Sequence, residues 1–358
     1  MRLMTLGVEN FRNLVGPPLS FRRPVTLIYG DNAQGKTNLL EAIYFLGTTK
    51  SFRENRIESL VRAGHEGASV SARVMRHGVT HEVEVRVREG RKEFALDRSR
   101  VDVSDYLRVL PVVALSAEDR ALVKGERKVR RAFLDGTACM VKPGHIKVLM
   151  QFGRALRQRN HLLKTSGGFR SPELEAWTET FRELSDRINR ERMEAAEGIQ
   201  AALTHLSGRR EGAECLEIRY EPLRGETLRK ALESANGEEM RRGFSLKGPH
   251  REEVDILLDG RDLSEYGSSG QLRSALWKMK LARVLLIGER DGELPVFLLD
   301  DVEAELDAGR VREMMRITEG RAQIFLTATR PLDGGWGKME RYRMNEGLAH
   351  PLAAEEYP

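Results

Sequence analysis

The sequence predicts a split α/β domain with a helical domain inserted between its halves, on three observations. Gly30-Asp-Asn-Ala-Gln-Gly-Lys-Thr37 fits G-x-x-x-x-G-K-[ST] and lies between an apolar, β-branched run, Pro24 to Tyr29, and a helical repeat, Asn38 to Leu46. From about 119 to 212 the pattern turns helical and basic. The α/β pattern then returns and includes an apolar run, Val296 to Leu299, ending in Asp300-Asp301. The expected domains are residues 1–118 and 213–358 as the two halves, with 119–212 as the insert.

Residues 2–11 and 24–29 read as strands, and Lys36 to Gly47 as a helix. Ser69 to Met75, Thr80 to Arg88 and Arg91 to Leu96 alternate polar with apolar and are joined by His77-Gly78 and Glu89-Gly90, an antiparallel meander. Val109 to Leu115 is a further short strand. Pro172 follows Ser171 as a first-turn residue after an N-cap. Leu174, Trp177, Phe181, Leu184 and Ile188, continued by Ala195, Ile199 and Leu206, mark a seam about 50 Å long at 1.5 Å per residue. Its antiparallel mate is His145 to Lys164, with Ile146, Leu149, Phe152, Leu156 and Leu163 inward. Cys215 to Tyr220 and Val254 to Leu258 read as strands, Gln271 to Ile287 as a helix, Ala308 to Thr318 as a helix and Ala322 to Thr327 as a strand. Gly347 to Pro358 reads as a terminal tail.

The length of 358 residues allows about two domains, each able to bury a core unaided. Cys139 and Cys215 form no paired pattern, which points to a reducing compartment and against a structural metal. No apolar run reaches the ~18 residues of a membrane span, and no secretory leader is visible, so the expected location is cytoplasmic with no membrane partner. The net charge is +5, yet Arg120 to Lys164 alone holds twelve Lys and Arg against two acids, Glu126 and Asp135. A basic block on an otherwise slightly acidic chain fits a polyanion such as DNA, with Arg130, Arg131, Arg154, Arg157, Arg159 and Lys164 as candidate contacts.

The chemistry follows from residue types. Gly30 and Gly35 let the backbone curl, so that N–H groups along Asp31, Asn32, Ala33 and Gln34 and the following helix face a phosphate chain. Lys36 would reach the β- and γ-phosphates, and the Thr37 hydroxyl would ligate Mg²⁺. Asp300 is the natural metal-side acid, and Asp301 the acid placed to polarise an attacking water. Tyr266-Gly-Ser-Ser-Gly-Gln271 opens a long helix; Ser268 and Gly270 stand where free N–H groups and the helix dipole favour an anion, although a plain serine N-cap would look the same.

Together these motifs resemble an ABC-type ATPase head, and within that superfamily the chain resembles the RecF family of bacterial recombination-repair ATPases, related to SMC proteins. The resemblance also rests on Asn10-Phe-Arg-Asn13, Lys50-Ser-Phe-Arg53, Arg130-Arg-Ala-Phe-Leu-Asp135, Arg159-Asn-His-Leu-Leu-Lys164, Lys247-Gly-Pro-His-Arg251 and Leu299-Asp-Asp-Val-Glu-Ala-Glu-Leu-Asp307. It implies an ABC/SMC-type head with an antiparallel β subdomain and an inserted helical arm. It further implies a slow ATPase with Mg²⁺ that dimerises on ATP, binds single-stranded, duplex or gapped DNA, and acts with RecR and RecO partners to help RecA load. DNA repair, replication restart and SOS induction belong to the same implication. By position, Arg12 and Asn13 would contact the nucleotide, Ser268 and Gly270 the nucleotide held by the other subunit, and Ala304 to Asp307 would bridge the two sites.

The departures are specific. Thr327-Ala-Thr329 stands where many ABC ATPases carry a switch histidine, and Asp301 where they carry Glu. No glutamine-loop residue is assigned. A transporter ATPase subunit fits poorly with the separation of 231 positions from Thr37 to Ser268 and with the basic insert. A P-loop nuclease or helicase would need a further carboxylate constellation or a second motor-like domain, and neither is visible.

Overall fold

The computed structural model describes residues 1–54, 56–165, 171–207, 214–305, 308–318, 320–332 and 338–352. The chain divides into two compact units, Met1–Arg120 with Arg273–Pro358, and Ala121–Leu272. No helix among the described residues is long and apolar enough to cross a membrane.

The first unit begins with β1 (Arg2–Glu9), β2 (Leu19–Ser20), β3 (Val25–Tyr29) and α1 (Lys36–Thr48). The meander follows as β4 (Gly67–Arg76), β5 (Val79–Arg88), β6 (Arg91–Leu96) and β7 (Ser99–Arg100), then α2 (Val103–Tyr106) and β8 (Val112–Leu115). The antiparallel sheet runs β2-β1-β4-β5-β6-β7. Its alternation is visible in the burial: Val70, Ala72 and Val74 of β4 and Val83, Val85 and Val87 of β5 face inward to one core with Leu39, Ile43 and Leu46 of α1.

The second unit holds α3 (Arg120–Lys124), α4 (Arg127–Val141), α5 (His145–Thr165), α6 (Pro172–Ser207), β9 (Leu216–Arg219), α7 (Gly225–Arg242), β10 (Asp255–Leu258), β11 (Arg261–Asp262) and α8 (Leu263–Tyr266). α6 follows the expected seam, with Leu174, Phe181, Ile188, Ala195 and Ile199 buried. On α5 the inward stripe is Val148, Phe152, Ala155, Arg159 and Leu163, so the expected set with Ile146, Leu149 and Leu156 is rotated by about a residue. The cause is α7, which the sequence pattern did not announce: its Leu228 and Leu232 join Val148, Phe152, Phe181 and Ile188 in one cluster, and α5 turns to meet both neighbours.

The second boundary lies at Leu272 rather than at 212. β9 pairs antiparallel with β10, and β10 with β11, in a three-stranded sheet. Gln200 of α6 accepts from the Ile218 amide at 2.9 Å and thereby ties that sheet to the arm.

α9 (Ser269–Asp291) begins in the second unit and continues in the first, where β12 (Val296–Leu299), α10 (Val302–Glu305), α11 (Ala308–Ile317), β13 (Ile324–Ala328), β14 (Met339–Asn345) and β15 (Leu348–Pro351) complete the chain's elements. The second large sheet has the order β15-β14-β3-β13-β12-β8, parallel except for the β14–β15 hairpin. β12 and β13 inside the sheet and β8 at its edge are mostly apolar and buried from end to end, as in a sheet covered on both faces. Leu348–Pro351 is thus a paired strand, which corrects the expected tail; Ala353–Pro358 lie outside the described residues.

Candidate functional site

The parallel sheet brings the sequence motifs together. β3 and β12 both flank β13, and their C-terminal ends deliver Gly30 and Asp300 to the same edge. The Thr37 hydroxyl donates to Asp300 Oδ1 at 3.0 Å. The Thr327 hydroxyl at the end of β13 donates to the same oxygen at 2.7 Å and accepts from the Asp301 amide at 2.8 Å. Asp301 takes a φ of +50°, which turns the chain sharply at the strand's end.

Burial pushes the Asp300 carboxyl above its usual range, and the charges of Glu118 and Asp301 push it the same way against the two threonine hydroxyls. A half-buried acid with like charges around it suits a cation. The Thr37 hydroxyl and Asp300 carboxylate are hard oxygen donors of the type that Mg²⁺ prefers, so the residues fit that ion.

Lys36 donates to the carbonyls of Gly30 at 2.6 Å and Asp31 at 2.8 Å, folding its ammonium over the loop. Burial lowers its pKa, while Asp301, Asp300, Asp31 and Glu303 oppose that shift. The loop between Gly30 and Lys36 is braced by the β14–β15 hairpin. The Gln34 side-chain oxygen accepts from the Glu346 amide at 2.6 Å, and the Gln34 carbonyl from the Gly347 amide at 2.9 Å. Packing there leaves no room for side chains: a Cβ on Gly30 would lie 2.5 Å from the Met344 carbonyl oxygen, and one on Gly347 1.9 Å from that of Asn13.

Arg12 is a brace. Its Nε and Nη2 donate to Glu41, a fully buried acid on α1, at 2.9 and 3.0 Å, and its Nη1 to the Ser59 carbonyl at 2.9 Å and to Glu54 at 3.3 Å. Those donors hold the chain after β1 against α1. Asn13 lies beside Gly35 and accepts from Asn38 at 2.7 Å, and Asn38 in turn accepts from Arg53 at 2.9 Å.

In the second unit, Ser268 caps α9 reciprocally: its hydroxyl accepts from the Gln271 amide at 3.2 Å, and the Gln271 side chain accepts from the Ser268 amide at 2.9 Å. A Cβ on Gly270 would meet only Ser268 Oγ, at 4.0 Å, so this helix end is open to approach. The basic candidates divide. Arg154, Arg157 and Lys164 are exposed on α5, a helix with no acidic residue. Arg159 is 1% exposed and donates to Glu239 at 2.7 Å, Ser245 at 2.7 Å and Thr178 at 3.1 Å. Arg130 is buried, donating to the carbonyls of Val123 and Val254, and Arg131 is half-buried on the Glu252 carbonyl. Arg130 and Arg159 are therefore internal braces, a correction to their expected place among DNA contacts. Leu306 and Asp307 lie outside the described residues, as do the side chains of Ala304 and Glu305.

Residues 2–332 match the model of the RecF/RecN/SMC N-terminal domain. The chain is 35% identical to the DNA replication and repair protein RecF of Synechococcus sp. (strain JA-3-3Ab), covering 94% of each chain. It is 33% identical to the protein of that name in Bacillus subtilis (strain 168), covering 92% of this chain and 93% of the relative. The chain belongs to the RecF family. A solved structure of the recombination mediator protein RecF with ATP, described in the RecFOR pathway, superposes with a TM-score of 0.90 at 31% identity, covering 98% of this chain and 97% of that one. An SMC head domain from Pyrococcus furiosus shares the fold, with a TM-score of 0.54 at 18% identity. The ABC/SMC-type ATPase head expected from the motifs is thus the fold of this RecF-family chain.

Sequence reasoning passed over three side chains that organise the site. Thr327 was visible only as a missing histidine, yet its hydroxyl joins Asp300 to the Asp301 backbone. Glu41 sits in an apolar helical repeat, where a lone acid at a buried helical position was the available signal. Glu303 follows the acidic pair closely enough to be taken for part of a charged turn.

Proposed function

We propose that this chain is an ATP-dependent DNA-binding clamp of replication and recombinational repair, with slow ATP hydrolysis. The observation that carries the reading is the 3.0 Å contact between Thr37 and Asp300, residues 263 positions apart, beside Lys36 on a braced loop. Backbone N–H groups from Asp31 to Gly35 and the N-terminus of α1 would hold the phosphates, with Lys36 on the β- and γ-groups. Thr37 and Asp300 would hold Mg²⁺, which supplies charge neutralisation at the phosphates. Asp301 would orient and polarise the attacking water; an Asp in that role, one methylene shorter than Glu, suits slow turnover.

Ser268 and Gly270 at the open N-terminus of α9 would contact the γ-phosphate held by a second copy, giving a two-fold dimer with two ATP molecules between the heads. The exposed basic face of α5, with Arg154, Arg157 and Lys164, supports DNA phosphate contacts that are sequence-neutral and salt-dependent. Family membership supports action at gapped DNA with RecR and RecO partners, help in loading RecA onto single strands, and a place in SOS induction. ATP then closes the clamp and hydrolysis releases it.

Sedimentation with and without ATP tests the arrangement. Lys36→Met is expected to lose ATP turnover, whereas Ser268→Arg is expected to bind nucleotide and stay monomeric. Normal ATP-dependent dimerisation of Ser268→Arg would rule out the sandwich.

A further inference from the structure

We infer that Glu303 is a positioning residue for hydrolysis, clamping the turn that carries Asp301 to the segment after β13. This rests on the reading of Asp301 as the water-polarising acid. Among the described residues, two side chains link that turn to the end of β13. One is Thr327, already described. The other is Glu303, whose Oε2 accepts from the Thr329 amide at 2.9 Å and the Thr329 hydroxyl at 2.5 Å, while Oε1 accepts from Arg330 Nε at 3.0 Å.

The reason such a clamp is needed lies in the backbone. Asp301 holds a φ of +50°, a conformation that a non-glycine residue keeps only when its surroundings impose it. Upstream, β12 fixes the chain through its pairing with β8 and β13. Downstream, α10 is a four-residue helix, and from it Glu303 reaches across to the residues after β13. Both its oxygens are engaged by donors, so it is placed to hold rather than to take a proton. Its charge is also felt at Lys36, so the clamp borders the phosphate end of the site. Without it Asp301 would relax toward ordinary φ values, and its carboxylate would leave the line of attack. Nucleotide binding, which depends on Gly30 to Thr37, would be untouched.

The test uses the whole chain, steady-state ATP turnover and titration with a fluorescent ATP analogue. Glu303→Ala is expected to lower kcat about tenfold, a cost typical of a misaligned catalytic group, with KM and analogue affinity within about twofold of wild type. Glu303→Gln keeps an acceptor oxygen for Thr329 and is expected to recover most of the rate. Thr329→Val removes only the hydroxyl and leaves the amide and Arg330 on Glu303, so it should lower kcat by less than Glu303→Ala, and the double variant should fall no further than Glu303→Ala alone. Wild-type kcat in Glu303→Ala, a parallel loss of analogue affinity, or additive losses in the double variant would overturn the inference. Lys36→Met, assayed alongside, separates the two readings: wild-type turnover in that variant would sink the ATPase assignment itself, independently of Glu303.

Discussion

Ala33 lies in the phosphate loop with a φ of +65°, in the left-handed region where an L-residue's Cβ crowds the following carbonyl. Glycine meets no such penalty, so Ala33→Gly should stabilise the first unit by about 1 kcal/mol. Thermal unfolding checks this, and an unchanged or lower midpoint would show that the alanine methyl makes contacts worth more than the strain. His145 is a second residue whose surroundings decide its chemistry. Its ring is buried between Glu191, which contacts Nδ1, and Asp135, 3.3 Å from Nε2; Asp135 is also gripped by Arg192 at 2.7 and 2.9 Å. Burial works against the imidazolium, but the two carboxylates outweigh it and raise its pKa above the usual value. Asp135 goes the other way: burial would raise it, but Arg192 and His145 hold it down to about 2. The stabilisation from charged His145 is therefore complete below the unfolded pKa of about 6.5 and fades as pH rises through the raised folded value. His145→Gln should lower the melting temperature most near pH 6 and progressively less toward pH 9. A gap of constant size across that range would contradict this account.

At the scale of elements, α5 shows why composition alone could not sort its arginines. Arg157 and Arg159 sit two positions apart, so one faces solvent and the other the core. Arg159→Ala would leave Glu239, fully buried, without its charge partner, at a cost of about 3–5 kcal/mol. Arg157→Glu should change stability by less than about 0.5 kcal/mol, yet weaken DNA binding and reduce its salt slope by about one or more. Equal melting temperatures for the two variants would refute the division. The periodicity of α6 and the two motif-bearing strands was legible, because long apolar repeats and a glycine loop leave little freedom of reading. α7 was not: its amphipathic stripe is short and set among many charges, so nothing in the local pattern marked Glu239 as Arg159's partner. The same blindness hid Thr327, whose role arises from a parallel pairing of strands far apart in the chain.

At the scale of the molecule, the phosphate loop is completed by residues far downstream. Gly347, at φ +85° and packed on Asn13, leaves no space for a side chain. Gly347→Val should cost about 2–3 kcal/mol in the turn and weaken nucleotide affinity, although position 347 lies outside the motif. Unaltered affinity in a folded Gly347→Val protein would show that Gly30 to Thr37 is self-sufficient. The brace from Gln34 to Glu346 spans 312 residues of chain, whereas residues 121–272 are a continuous stretch whose contacts can close on themselves. On the ribosome the order of events follows from this: the arm can fold while the first sheet still lacks β12, β13 and β14, and a nascent chain shorter than 347 residues carries the whole phosphate-loop sequence without its support. The loop's support is thus a late, long-range event, formed only once β12 to β14 and Gly347 have joined β3 and α1.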